Sequence, residues 1–165
     1  MNIKRVAKHL VMTHWQVGRA FPSDTLSAID RVIKASEAAH AGEIRFVVEG
    51  ALDGVALLKG QSARARAIEV YSQLQIWDTE HNNGVLIYLL LADRNVEIVA
   101  DRGIHAKVGQ KEWGKICRTM EKAFKEQNYE RGVVSGIQAV TQHLIKLFPA
   151  VCGDRNELPD RPVVL

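Results

Sequence analysis

The sequence contains little cysteine and no long apolar segment. Only two of its 165 residues are cysteines, Cys117 and Cys152, and so few thiols in an ordinary composition indicate a reducing compartment rather than a disulfide framework. The longest apolar run, residues 85–92, is eight residues long, whereas a membrane-spanning helix needs about 20. Polar residues interrupt the N-terminal segment, so no signal peptide is indicated. We therefore expect a cytoplasmic protein without a transmembrane segment.

The common motifs for cofactor binding and catalysis are also missing. The chain has no GxGxxG or P-loop glycine pattern, no GxSxG elbow, and no HExxH, CxxC or EF-hand loop. Its net charge of +3 is a mild excess over a surface of mixed sign. No basic face interleaved with aromatic residues is evident, so we expect no nucleic-acid partner. The 47% hydrophobic content predicts one globular domain with its own core.

The apolar pattern divides the chain into three segments. Residues 1–22 carry a basic amphipathic helix, with apolar residues at helical spacing among lysines and arginines. Such a helix usually covers part of its own domain, and the alternatives are an anionic membrane surface or a partner protein. Residues 23–148 form an α/β domain. Residues 149–165, which hold three of the four prolines, form an extended C-terminal tail.

Two segments of the α/β domain have the pattern of parallel strands. Residues 44–49 alternate between apolar and polar positions, and residues 85–91 are apolar on both faces, as in a strand covered by helices on both sides. A helix predicted over residues 62–74 leaves enough chain for a right-handed parallel crossover.

The next segment predicts a hairpin. The turn Asp93-Arg94-Asn95 is too short for any other connection, and Asn95 is the residue expected to take a left-handed conformation. Residues 96–101 therefore return antiparallel as a strand near the sheet edge, and two helices follow. The predicted fold is a three-layer α/β/α sandwich, with a small mixed sheet and helices on both faces.

This topology gathers polar residues at two opposite edges of the sheet. The first edge is where the two parallel strands begin and the antiparallel strand ends, and it joins the loop 77–83 to residues 101–105. Its candidate site residues are Asp78, Glu80, His81, Asn82, Asn83, Asp101, Arg102 and His105. The second edge holds Glu49, Gly50 and the turn with Asp93 and Arg94. In parallel sheets, ligands usually bind at the carboxyl ends of the strands, which here is the second edge. The larger number of polar residues nevertheless favours the first edge.

Three interpretations of the first edge compete. Carboxylates and imidazoles suit a divalent cation, with Asp78, Glu80 and Asp101 as its ligands. Alternatively, Arg102 together with a histidine and the N–H groups of the glycine turns suits a phosphate. The third interpretation is that these are ordinary turn and surface residues. Because loops on a rigid scaffold often carry function, we treat the set as a candidate site.

Several short stretches, taken together, resemble the TPM domain family over roughly residues 23–148. They are Asn83-Gly84-Val85-Leu86-Ile87, Ala92-Asp93-Arg94, Val96-Glu97-Ile98, Arg102-Gly103-Ile104, Phe124, Tyr129, Gly132 and Gly136. The resemblance implies an α/β/α sandwich. It also implies, for some members, acid phosphatase activity or binding of Ca²⁺ or another divalent cation, and for others a membrane-associated partner.

The chain departs from the family pattern at three acidic positions. Asn82, His105 and Gln110 stand where relatives often carry a carboxylate, which weakens a calcium site of the family type. The sequence resembles a cytosolic, stand-alone branch of the family.

Two functional hypotheses follow. In the first, the protein hydrolyses the phosphomonoester group of a phosphorylated small molecule. Arg102 holds the phosphate, and Asp101 or Asp78 binds a cation or acts as the base. His81 or His105 acts as the acid. In the second, it is a non-enzymatic interaction module for a membrane-associated protein or an anionic membrane surface, and the N-terminal helix makes the contact.

Overall fold

The computed structural model describes residues 3–150 and 156–165. Within these residues the chain forms eight helices and four strands. Their bounds are α1 (Ile3–Val11), α2 (His14–Ala20), α3 (Ser23–Glu37), β1 (Glu43–Glu49), α4 (Gly54–Leu58), α5 (Ala63–Gln73), β2 (Gly84–Leu90), β3 (Asn95–Ala100), α6 (Arg102–Val108), α7 (Gln110–Lys125), α8 (Tyr129–Leu147) and β4 (Val163–Val164). No helix of this part of the chain is long and apolar enough to cross a membrane.

The four strands form one mixed sheet in the order β3-β2-β1-β4. Strands β1 and β2 are parallel, with Glu43 opposite Gly84, and β3 returns antiparallel to β2, with Ala100 opposite Val85. The crossover through α5 and the hairpin after β2 are thus confirmed. Strand β4 adds a short parallel pairing to β1 at the other side of the sheet.

Helices cover both faces of the sheet, as the alternation of β2 requires. Its residues Val85, Ile87 and Leu89 are buried in a core with α3, α7 and α8, while Leu86, Tyr88 and Leu90 are buried in a second core with α5. Successive side chains of a strand point to opposite faces, so an apolar residue at every position fits only an interior strand. The three-layer α/β/α sandwich is therefore confirmed.

The structure differs from the sequence-based expectations at three elements. The N-terminal segment is two helices rather than one, because the hydroxyl of Thr13 accepts a hydrogen bond from the Gln16 N–H and starts a new helix there. Three helices, not two, follow β3, since α6 begins directly at Arg102. Part of the C-terminal tail is the strand β4. Cys152 lies outside the described residues, so its pairing with Cys117 is not addressed.

Gly84 at the start of β2 is required by close packing. A Cβ atom at this position would overlap the main-chain oxygen of Ile76, which lies just after α5 and before the loop 77–83. Gly84 is therefore a packing requirement of the first edge, because the chain that follows α5 lies directly against it.

Candidate functional site

The first edge brings together the two segments that the sequence predicts to meet there. The Gly84 N–H donates to a carboxylate oxygen of Asp101 at 2.9 Å, and the Asp101 N–H donates to the Gly84 carbonyl at 3.1 Å. The end of β3 is therefore joined to the end of the loop 77–83. One oxygen of the Asp101 carboxylate is occupied by this main-chain contact.

Asn83 is fully buried and joins the loop 77–83 to the start of β1. Its N–H donates to the Thr79 hydroxyl at 3.0 Å, its carbonyl accepts from the Glu43 N–H at 3.2 Å, and its amide nitrogen donates to the Ala41 carbonyl. Its side-chain oxygen is buried without a hydrogen-bond partner among the described residues. The contacts of Asn83 hold the edge together, while its neighbour Asn82 is exposed in a left-handed conformation with φ 49°.

Asp101, Arg102 and His105 lie at the start of a helix rather than in the loop that the sequence suggests. Asp101 precedes α6, and its carbonyl accepts from the His105 N–H at 2.8 Å. Burial, together with the nearby Asp101 carboxylate, raises the pKa of Tyr71 well above its usual value. Arg102 is exposed and His105 is half-buried, so both remain accessible from the first edge.

The remaining predicted residues of the first edge are exposed on the loop 77–83. They are Asp78, Glu80 and His81. The Glu80 N–H donates to the carboxylate of Glu157 at 3.0 Å, so the C-terminal segment reaches this loop. Asp93 and Arg94 lie at the second edge, opposite to this group, as the topology predicts.

Sequence reasoning missed a group of acids beside the first edge. The Glu43 carboxylate accepts from the N–H groups of Glu157 at 3.0 Å and Leu158 at 3.1 Å, and burial raises the pKa of Glu43. Burial, followed by the charges of Glu43 and Asp160, raises the pKa of Glu37 to about 9. Contacts of this kind join residues more than a hundred positions apart, so no local pattern indicates them.

The residues of the first edge do not fit the family type of calcium site. At the three positions where relatives often carry a carboxylate, this chain has the exposed amides of Asn82 and Gln110 and the imidazole of His105. Ca²⁺ prefers several carboxylate and carbonyl oxygens at once. Within the described residues, no group of three or more histidine, cysteine or acidic side chains is arranged to hold a metal ion. The assignment of Asp78, Glu80 and Asp101 as ligands of a divalent cation stays a prediction.

At the second edge, Asp93 ties the N-terminal helix to the sheet. Its carboxylate accepts from the Arg5 Nε at 2.8 Å and lies 3.2 Å from the Nε2 of His9. His9 is itself buried, and its Nδ1 accepts from the Leu52 N–H at 3.0 Å. The next residue, Arg94, is exposed and takes the left-handed conformation with φ 50° that the sequence analysis assigns to Asn95.

A wide groove opens at this second edge, with a volume of about 940 Å³. Its floor is the turn that follows β2, one wall is formed by α1 and α2, and the other wall by the start of α8. This is the edge where ligands of parallel sheets usually bind.

The fold and its two edges define a small α/β/α sandwich protein with a mixed sheet. The sequence model of the TPM domain family matches residues 16–143 of this chain. The chain therefore belongs to the TPM domain family. It is similar to the BA42 protein from the psychrophilic bacterium Bizionia argentinensis: identity is 29%, the TM-score is 0.76, and the match covers 87% of this chain and 94% of that one.

Two further solved structures show the same fold at lower identity. The N-terminal domain of a protein from P. gingivalis is 20% identical, with a TM-score of 0.60 over 76% of this chain and 77% of that one. The N-terminal domain of the cg2496 protein from Corynebacterium glutamicum is 13% identical, with a TM-score of 0.54 over 74% and 72%. A comparison with curated proteins gives no match.

Proposed function

We propose that this TPM domain protein is a non-enzymatic module that binds an anionic membrane surface through α1 and α2. The observation that carries the proposal is an outward-facing apolar stripe. Ile3, Leu10 and Val11, at helical spacings of seven and eight residues, share one side of α1, and Ile3 and Leu10 are 75% and 73% exposed. The other side of α1 packs on the domain through the buried His9, and the half-buried Val6 lies at the border between this side and the stripe.

This orientation is the reverse of the usual one. An amphipathic helix on a globular domain normally buries its apolar stripe, and a contiguous apolar patch left in water marks an interaction surface. Trp15 at the start of α2 extends the patch and is 69% exposed. Tryptophan is the side chain most typical of the boundary between lipid and water.

The charge of the same segment favours an anionic lipid surface as the occupant. Residues 3–20 contain four cations, Lys4, Arg5, Lys8 and Arg19, and no acidic residue. Arg5 is engaged by Asp93, which leaves three cations beside the apolar stripe. A helix of this composition lies in the headgroup layer with its apolar side in the acyl chains. The low cysteine content, two in 165 residues, favours the cytoplasmic location that we propose.

Flotation with vesicles tests this function. We expect the protein to float with vesicles of phosphatidylcholine and phosphatidylserine and to stay unbound with phosphatidylcholine alone. Leu10→Ser combined with Trp15→Ser abolishes flotation, whereas the control Val55→Ser with Leu58→Ser, at sites 64% and 63% exposed on α4, leaves it unchanged. Lys4→Gln with Lys8→Gln weakens binding about thirtyfold, at roughly 1 kcal/mol per cation. No flotation of the unaltered protein, or equal loss in the control, rejects the proposal.

A second candidate is hydrolysis of a phosphomonoester at the first edge. The observation that favours it is the meeting of the loop 77–83 with the start of α6, where Arg102 and His105 are accessible. In this candidate Arg102 holds the phosphate oxygens, His105 or His81 supplies a proton to the leaving oxygen, and Asp101 positions or activates water.

An assay with an aryl phosphate tests the second candidate. The protein is stripped of metal, and Ca²⁺, Mg²⁺ or Zn²⁺ is then added singly. We expect turnover that falls by at least tenfold in Arg102→Ala and in His105→Gln, with Arg118→Ala on α7 as a cation control away from the edge. Asp101 is left unchanged because its carboxylate holds the Gly84 N–H. Equal rates in the unaltered protein and in Arg102→Ala end the hydrolase interpretation.

A further inference from the structure

The groove at the second edge has a strongly cationic lining. Its cations come from four separate elements: Lys8 from α1, Arg19 from α2, Arg94 from the turn after β2, and Arg131 from the first turn of α8. Such separate elements are far apart in sequence, and only the fold brings their charges to one cavity. Several cations around one concave site recognise a ligand with more than one negative charge.

The two acids in the lining, Asp93 and Glu130, offset this set only in part. Asp93 is engaged by Arg5 and by His9. Glu130 accepts a hydrogen bond from the Thr25 hydroxyl at 2.9 Å. Lys8, Arg94 and Arg131 have no carboxylate partner in the part of the chain that the structure describes. Because Arg5 balances Asp93 and Glu130 can offset only one of the four cations, the groove keeps an excess of positive charge for a ligand.

The fourth cation of the lining, Arg19, contacts an aromatic ring. The guanidinium of Arg19 lies over Trp15, 5.6 Å from its ring centre. Trp15, Met12 and Val11 also line the cavity. The groove therefore combines a cationic end with an apolar wall, which suits a charged group attached to a carbon skeleton.

We propose that this groove binds a phosphomonoester, with Arg94 and Arg131 as the principal contacts to its phosphate. A phosphomonoester carries close to two negative charges at neutral pH, and arginine matches the geometry of phosphate oxygens with paired N–H donors. Such a group is found both on soluble metabolites and on the headgroup of phosphatidic acid. The site is distinct from the first edge, and the proposal does not depend on membrane binding by α1 and α2.

A titration of the soluble protein tests the site directly. Glycerol 3-phosphate is added to ¹⁵N-labelled protein, and the indole signal of Trp15, assigned with Trp15→Phe, reports binding at the groove. We expect a saturable shift, with affinity about a hundredfold lower in Arg94→Gln combined with Arg131→Gln, since each removes a charge-assisted hydrogen bond. Lys111→Gln with Lys122→Gln removes the same charge from exposed positions on α7 and leaves the affinity unchanged.

The outcomes separate this site from a general attraction to anions. Absence of a saturable shift, or an equal loss of affinity in the α7 control, overturns the proposal. Glycerol alone is expected to give no shift, and a shift of the same size with glycerol also overturns it. Failure of flotation together with an intact titration rejects membrane binding but leaves the groove assigned.

Vesicles distinguish the two sources of the phosphomonoester. If the groove takes a lipid headgroup, flotation is stronger with phosphatidic acid than with phosphatidylserine at equal surface charge, and Arg94→Gln with Arg131→Gln removes only this preference. If the source is a soluble molecule, the titration with glycerol 3-phosphate succeeds while the two lipids float the protein equally. Both results support the site, and they assign it to different ligands.

Discussion

At the scale of single residues, the half-buried Glu37 links the stability of the fold to pH. Burial, Glu43 and Asp160 raise its pKa from 4.5 to about 9, against the opposing effect of the Ile44 N–H. Between these two values the folded protein retains a proton that the unfolded chain releases. The free energy of unfolding contributed by Glu37 is therefore complete below pH 4.5 and falls as the pH rises towards 9.

We predict that Glu37→Gln stabilises the protein, because the amide imitates the protonated acid and retains an oxygen for the Ile44 N–H. Near the upper end of this pH range the free energy of unfolding rises by about 1–2 kcal/mol, a fraction of the 1.36 kcal/mol per pKa unit that full burial would give. Below pH 4.5 the two proteins are equally stable. Denaturant unfolding at several pH values measures the difference.

The exposed acid Glu80 provides the control for this experiment. Glu80→Gln is expected to change the free energy of unfolding by less than about 0.5 kcal/mol at every pH. A stabilisation by Glu37→Gln that is equally large in acid would contradict the prediction, because it would come from packing and not from a proton.

Local residue patterns predicted contacts along one strand pair but not contacts over long separations. The meeting of Asp101 with the loop 77–83 followed from the strand pattern and the short hairpin. The contacts of Glu43 with Glu157 and Leu158 did not, because the C-terminal segment has no pattern that points to its partner. Similarly, the sequence favoured Asn95 for the left-handed position by propensity, but the register of β3 requires Asn95 to pair with Leu90 and moves the left-handed conformation to Arg94.

At the scale of elements, buried strands were predictable to within one residue, whereas helix α6 and the break between α1 and α2 were not. A strand buried on both faces leaves a continuous apolar run, as β2 does. Helix α6 has only seven residues and contains Gly103. Its apolar positions are therefore too few to indicate a helix. The break between α1 and α2 rests on the capping bonds of Thr13 and Gln16, which interrupt a periodicity that continues through both helices.

At the scale of the whole molecule, the layer architecture was predictable, whereas the groove at the second edge was not. Alternating strands and helices predicted the three layers, because each apolar face has to be covered. The cationic groove at the second edge joins α1, α2, the turn after β2 and α8. Its four cations lie between positions 8 and 131 of the sequence, so counting polar residues in neighbouring loops favoured the first edge. The groove depends on how the N-terminal helices are held against the sheet.

The tie between the N-terminal helices and the sheet is Asp93, and we predict that Asp93→Asn loosens α1 selectively. The change removes the charge that faces Arg5 at 2.8 Å and His9 at 3.2 Å, at a site where the Asp93 side chain is only 19% exposed. The expected loss of stability is about 1–2 kcal/mol, between the values for exposed and buried ion pairs. Hydrogen exchange should accelerate at the amides of α1 and stay unchanged in β1 and β2, whose hydrogen bonds lie in the core.

Glu112→Gln, which breaks the exposed pair with Lys115 on α7, is the matched control and should alter neither region. Exchange that accelerates equally in α1 and in the sheet would show that Asp93 supports the whole domain, and the groove wall would then not be a separately held element.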